Sequence, residues 1–157
     1  RRLMDTTKAE LVTRKHIQRV SELCNLVAKE MMDRGVRHDS SKFLPIELEP
    51  LQRMQDLIEK EGQAQFGTLE YKRRTDLLGE MITHHRANNS HHPEYYADGI
   101  SGMNLFDILE MFVDWKAASE RSESSVMGLE FGISKFEIDT QLASIFRNTA
   151  DYLGWQK

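Results

Sequence analysis

The chain has 157 residues, 39% hydrophobic and 29% charged, which suits one domain with a substantial core in an ordinary water-exposed protein. Its net charge of −4, with both signs mixed along the chain, argues against a protein that lives on the nucleic-acid backbone, though not against a small anion in a local basic pocket. The single cysteine, Cys24, excludes an internal disulfide and points to a reducing, cytoplasmic setting, and no apolar run approaches the roughly 18–20 residues of a membrane span.

Arg1, Arg2 and Leu3, ahead of Met4, are expected to be vector-derived. The periodicity after them is helical throughout. The first helix is expected over about 6–34. Thr7 and Glu10 have capping-box spacing, and Val12, His16, Val20, Leu23, Val27 and Met31 recur every three or four residues. Cys24 falls among them and reads as a small buried hydrophobe. Gly35 is the natural stop. "VRHD" then turns the chain, Asp39 or Ser40 can cap a short helix to Leu44, and Pro45 opens a helix to about Glu61.

Gly62 and Gly67 bracket a break before a helix over about 68–86, with Leu77, Leu78, Met81, Ile82 and His85 on one face. Residues 87–102, "ANNSHHPEYYADGISG", read as a loop, and a loop this long in a compact domain is often functional. Asn104 caps "LFDILEMFVDWKAASER", apolar on most sides and so central. Its main apolar face is Leu105, Ile108, Leu109, Phe112 and Val113. Asp114 lies roughly opposite, with Asp107, Met111, Ala118 and Arg121. That side is either solvated or lines a polar cleft; Met111, Trp115, Ala117 and Ala118 favour the cleft. Residues 122–133 read as a second loop. Ser134 and Glu137 give another capping box, opening a last helix to about Leu153. The expectation is an all-α single domain, 1–157, of five or six helices. The apolar face of its last helix (Phe136, Ile138, Leu142, Ile145, Phe146) serves the core or a homodimer interface.

Six histidines stand out. His16 lies on the inward stripe of the first helix, and His38 precedes Asp39. His84 and His85 end a helix, and His91 and His92 follow in the loop. Imidazole and carboxylate suit Zn, Mn, Fe or Ni, and both are costly to bury without a partner. The bland reading of each is a satisfied core histidine, a helix cap or a solvated helix end. Four histidines in nine residues resist that reading.

His16, then His38-Asp39, then a distant Asp114 on an all-helical chain resembles the HD superfamily of metal-dependent phosphohydrolases, whose fold is a bundle of at least five helices. "HDSSK" resembles that family's doublet with a lysine three residues on. "HHRANNSHHPEYY" with "EMFVDWKAAS" is similar to a small, little-characterised, often phage-encoded HD-like group, over roughly Met4 to Arg121. The resemblance implies that His16, His38, Asp39 and Asp114 bind one divalent metal (Mn, Zn, Fe, Ni, Co or Mg). One or two of His84, His85, His91 and His92 would bind a second metal or a substrate phosphate, with His85 preferred to His84 as the inward group. The two histidine pairs are closer together than the usual two-metal spacing.

Phosphate-binding candidates are Lys42, Arg86, Lys116 and Arg121, with His91 and His92; Lys42 is the strongest, one turn from the doublet. Glu110, four residues before Asp114, could orient a ligand or act as a base, and His85 could share that work. Tyr95, Tyr96 and Trp115 could stack on a base. The expected activity is hydrolysis of a nucleotide or related phosphate ester in the cytoplasm, a host's if the chain is phage-encoded. Two alternatives are an HD-like di-iron oxygenase and a non-catalytic module that captures a nucleotide or partner.

Overall fold

The computed structural model describes residues 7–65, 67–121 and 128–155; residues 1–3 and the 122–127 part of the second expected loop lie outside them. The described residues form seven α-helices linked by short 3-10 turns, with no strand among them. The all-α class predicted from the periodicity is therefore correct. The chain divides into two compact units, 1–37 and 38–157.

The described residues of the first unit form one helix, α1 (Lys8–Arg37). Thr7 caps it: its Oγ1 accepts the Glu10 backbone N–H at 3.2 Å. Ion pairs one turn apart line it, among them Glu10–Arg14, Lys29–Asp33 and Glu30–Arg34. No side chain of α1 is buried, and Cys24, expected inside, is exposed. Gly35 does not stop the helix, because it is not among the residues with positive φ; the chain turns instead at Asp39, at φ 55° and ψ 21°.

The second unit opens with a 3-10 turn, Ser40–Phe43, and α2 (Pro45–Glu61), with Pro45 in its first turn. The expected 68–86 helix is two, α3 (Leu69–Leu78) and α4 (Glu80–Asn88), broken at Gly79, whose φ of 46° and ψ of −118° no helix accommodates. The break changes the phase of the apolar face. Met81 and His85 are buried, while Leu77 is exposed. Arg74 fastens α3 to the end of α2 through the Gly62 carbonyl and Glu61.

Asn104 caps α5 (Leu105–Glu120) as its side chain predicts, with Asp107 completing the capping box. The inward face is only part of the expected one: Phe112 and Ile108 face the core, with Met111 from the other side. Met111 and Phe112 are buried, whereas Leu105, Leu109 and Val113 are exposed. The second expected loop, 122–133, ends in an unforeseen helix, α6 (Leu129–Lys135), and the last expected helix starts later, as α7 (Thr140–Tyr152). Ser134 lies inside α6 and Glu137 has φ 49°, so they form no capping box; Asp139 caps α7 by accepting from Gln141 N and Leu142 N. Met111, Phe112, Leu129, Ile138, Ala143, Phe146 and Ala150 form the core. The rings of Phe112 and Phe146 stack at 5.3 Å. The face of 136–146 thus serves the core, except that Ile145 is exposed. No helix among the described residues is long and apolar enough to cross a membrane.

Candidate metal centre

Asp39 stands at the middle of the cluster. Its left-handed backbone is a conformation that Asp and Asn tolerate better than most residues. Its side chain makes no capping bond to the turn it precedes. The carboxylate is free to face other groups, and its two oxygens face different ones. Oδ1 lies 3.2 Å from His85 Nε2 and 3.4 Å from His91 Nε2. Oδ2 lies 2.5 Å from Lys42 Nζ and 3.4 Å from His38 Nε2.

Two carboxylates stand behind these imidazoles. Glu47, in the first turn of α2, is fully buried; Oε1 accepts from His84 Nδ1 at 2.7 Å and Oε2 from His85 Nδ1 at 2.9 Å. Glu110 on α5 accepts from His38 Nδ1 at 2.9 Å and lies 3.4 Å from His91 Nδ1. Asp114, one helical turn on, faces His38 Nε2 at 3.4 Å. A carboxylate that takes the Nδ1 proton fixes the tautomer and turns the Nε2 lone pair forward, as outer carboxylates do at metal-bound histidines.

With its Nδ1 proton on Glu47, His85 presents a lone pair to an oxygen that also only accepts. His92 Nε2 is 3.0 Å from His85 Nε2. Asp39 Oδ1 and His91 Nε2 are themselves buried without a hydrogen-bond partner. Such orphans are rare in folded proteins. Asp39, His85, His91 and His92 each offer one donor atom, all within 4.8 Å of one another. Donors around one divalent ion, at bonds of about 2.0–2.2 Å, stand roughly 3–3.5 Å apart. The three separations given above, 3.2, 3.4 and 3.0 Å, fit that spacing. His38, Asp39 and Asp114 form a second such group, and His38, His91 and Glu110 a third.

The electrostatics agree with the geometry. Burial acts to raise the Asp39 carboxyl, but His38, His85 and Lys42 outweigh it and hold it far below the usual carboxylate range. Asp114 is lowered too, the His38 contact and charge overcoming burial. Asp114, Asp39 and Glu110 together raise His38 to about 11. Burial, then the charges of His91 and His85, lowers His92 to about 4, so its lone pair is available at neutral pH.

The cluster therefore gathers His38, Asp39, Lys42, His85, His91, His92, Glu110 and Asp114. His85, not His84, is the buried member of its pair. His16 is an exposed residue of α1, in the first unit. Arg86 and Lys116 pair with carboxylates of their own, Glu94 at 3.3 Å and Glu120 at 3.1 Å, and Arg121 is exposed where α5 ends. Tyr96 donates to Asp107, and the Trp115 ring stacks parallel to Phe136, so both take part in packing.

Glu47 escaped sequence reasoning. In "PIELEP" it reads as an acid in a first helical turn, favoured by the dipole, and nothing local marks it as buried. Asn89, read as a turn residue, is buried and donates to Ser41 Oγ at 2.7 Å and to the His85 carbonyl at 2.7 Å.

No curated protein and no solved structure matches this chain. One family model does, over residues 5–152, and the chain belongs to that family, a family of unknown function designated DUF5662.

Proposed function

We propose that the protein is a metal-dependent phosphohydrolase of the HD-like kind, acting on a nucleotide or related phosphate ester. The observation that carries this reading is the buried pair of orphaned atoms, Asp39 Oδ1 and His91 Nε2, with His85 and His92 completing the donor set.

Asp39, His85, His91 and His92 would hold the ion, which when bound acts as a Lewis acid toward a phosphoryl oxygen and makes water a better nucleophile. Exposure rises from one side of the cluster to the other. The side chains of His91 and His85 are 3% and 10% exposed, those of Asp114, His38 and Lys42 23%, 27% and 32%. The substrate therefore approaches on the Asp114–His38–Lys42 side. Lys42 stabilises negative charge on the phosphoryl oxygens. Asp114, held ionised, takes a proton from the attacking water. The water oxygen bonds to phosphorus, the ester P–O bond breaks, and His38 gives a proton to the leaving oxygen. The 3.4 Å separation of His38 Nε2 and Asp114 Oδ1 lets the proton return between them. Glu110, expected to orient or act as a base, serves to orient, because it already accepts from His38.

The di-iron oxygenase is the second reading, favoured by the way Asp39 belongs to two of the ligand groups. It requires a second cation on Oδ2, where the Lys42 ammonium already sits at 2.5 Å. That contact favours a single ion and hydrolysis.

The test is metal-loaded protein assayed against nucleotides, cyclic dinucleotides and simple phosphate mono- and diesters. Turnover that disappears in Asp39→Asn and His91→Ala supports the proposal. No turnover of any compound by fully loaded protein, or oxygen consumption with two irons bound, overturns it.

A further inference from the structure

We propose that Asp107 is a positioning residue for the metal centre: its buried carboxylate clips both ends of the segment carrying His91 and His92. The inference rests on the metal reading given above.

Asp107 is fully buried at the start of α5. A cap alone does not explain its bonds. Oδ2 accepts from Asn104 N at 3.0 Å, which completes the capping box. The same oxygen also accepts from Tyr96 Oη at 2.7 Å, and Oδ1 accepts from Ser90 Oγ at 2.7 Å. Ser90 adjoins His91, and Tyr96 closes the 3-10 turn Pro93–Tyr95 that follows His92. Hydrogen bonds to a buried charge are worth more than neutral ones, so both ends of the segment are held tightly. The backbone at Gly102 supports Tyr96 from another side; a Cβ there would stand 2.8 Å from Tyr96 Cβ. His91 and His92 have no helix to fix them. They come from a loop, and this clip supplies the rigidity that a helix gives His85.

The full-length protein is titrated with Co²⁺, read by its visible absorption spectrum and by affinity. Tyr96→Phe and Ser90→Ala each remove one arm and leave every ligand in place. Asn104→Ala weakens the cap and leaves both arms. The expected result is a loss of Co²⁺ affinity of about tenfold or more in Tyr96→Phe and Ser90→Ala, with a changed spectrum. Asn104→Ala should lower the melting temperature and leave the spectrum as in the wild type.

Wild-type affinity and spectrum in the folded Tyr96→Phe and Ser90→Ala variants would overturn the clip and leave the metal centre standing. A spectrum equally altered in Asn104→Ala would reduce Asp107 to a helix cap. Absence of Co²⁺ binding by the wild type removes the metal reading, and this inference with it.

Discussion

Asp39 Oδ1 and His91 Nε2 stand 3.4 Å apart, shielded from solvent, and neither has a hydrogen-bond partner. Leaving buried polar atoms unpaired costs about 1–3 kcal/mol each. A divalent cation between them would remove that cost and, needing the assembled cluster, would favour the folded chain. Added Zn²⁺, Mn²⁺ or Co²⁺ should therefore raise the melting temperature in a saturable way. The stabilisation should be about 2.7 kcal/mol when free metal exceeds its dissociation constant a hundredfold. Asp39→Asn keeps a side chain that tolerates the left-handed backbone while removing the charge, so it should fold and lose this response. Elemental analysis with paired thermal melts checks both points. A wild type that melts identically with metal and with chelator would refute the site.

Glu47 accepts from two imidazoles at once, His84 and His85. An amide cannot do that with both ends, since its nitrogen only donates. Glu47→Gln must turn a donor toward one Nδ1 and release that ring's tautomer. Metal affinity should fall by about 10- to 100-fold although no ligand has changed. His84→Ala should cost much less, because His84 is not among the donors that converge on Asp39. Competitive titration against a chromophoric chelator separates the two. Equal losses in both variants would mean that Glu47 does not act through His85.

The same contrast explains what could be read from the sequence. His38, Asp39, His85, His91, His92 and Asp114 were legible because so many imidazoles and carboxylates close together in the chain invite the question of their partners. Glu47 and Asp107 were not, because an acid in the first turn of a helix already has an adequate local reason to be there. The all-helical class was legible from periodicity, but the count was not: five or six helices were expected and the described residues form seven. The breaks at Gly79 and ahead of Asp139 were not legible, since a single residue in an unusual backbone conformation scarcely alters the apolar spacing. The inward face of α5 was only partly legible, at Ile108 and Phe112, for a related reason. Counting apolar residues favoured Leu105 and Val113, but the buried row carries Asp107 and Met111, and a buried carboxylate with its own partners looks polar in the sequence.

Two histidines impose opposite pH limits on the metal-free chain. His38 is raised from 6.5 to about 11 by Asp114, Asp39 and Glu110. Its contribution to stability is complete below about pH 6.5 and lost as pH rises toward 11. His92 is lowered to about 4, mainly by burial. Its contribution is complete above about pH 6.5 and lost as pH falls toward 4. The carboxylates Asp39, Glu47 and Asp114 are lowered as well, so they reinforce the loss only once pH falls into or below the ordinary carboxylate range. Stability without metal should therefore peak near pH 6.5. Urea melts in chelator across the pH range test this. His38→Gln should flatten the alkaline limb and leave the acid limb in place. An unchanged alkaline limb in that variant would remove His38 from the account.

The core makes its own prediction at Gly132, on α6. A Cβ there would lie 2.6 Å from the Trp115 ring, closer than any real contact. Trp115 cannot easily withdraw, since its ring lies parallel to Phe136 at 6.2 Å and edge-on to Phe146 at 5.8 Å. Gly132→Ala is thus an overpacking substitution and should cost about 1–3 kcal/mol, despite alanine's better helix propensity. If the clash is the cause, Gly132→Ala combined with Trp115→Phe should be more stable than the sum of the two single changes allows. A double-mutant cycle by thermal or chemical melts measures this coupling. Strict additivity would locate the cost of Gly132→Ala elsewhere than against Trp115.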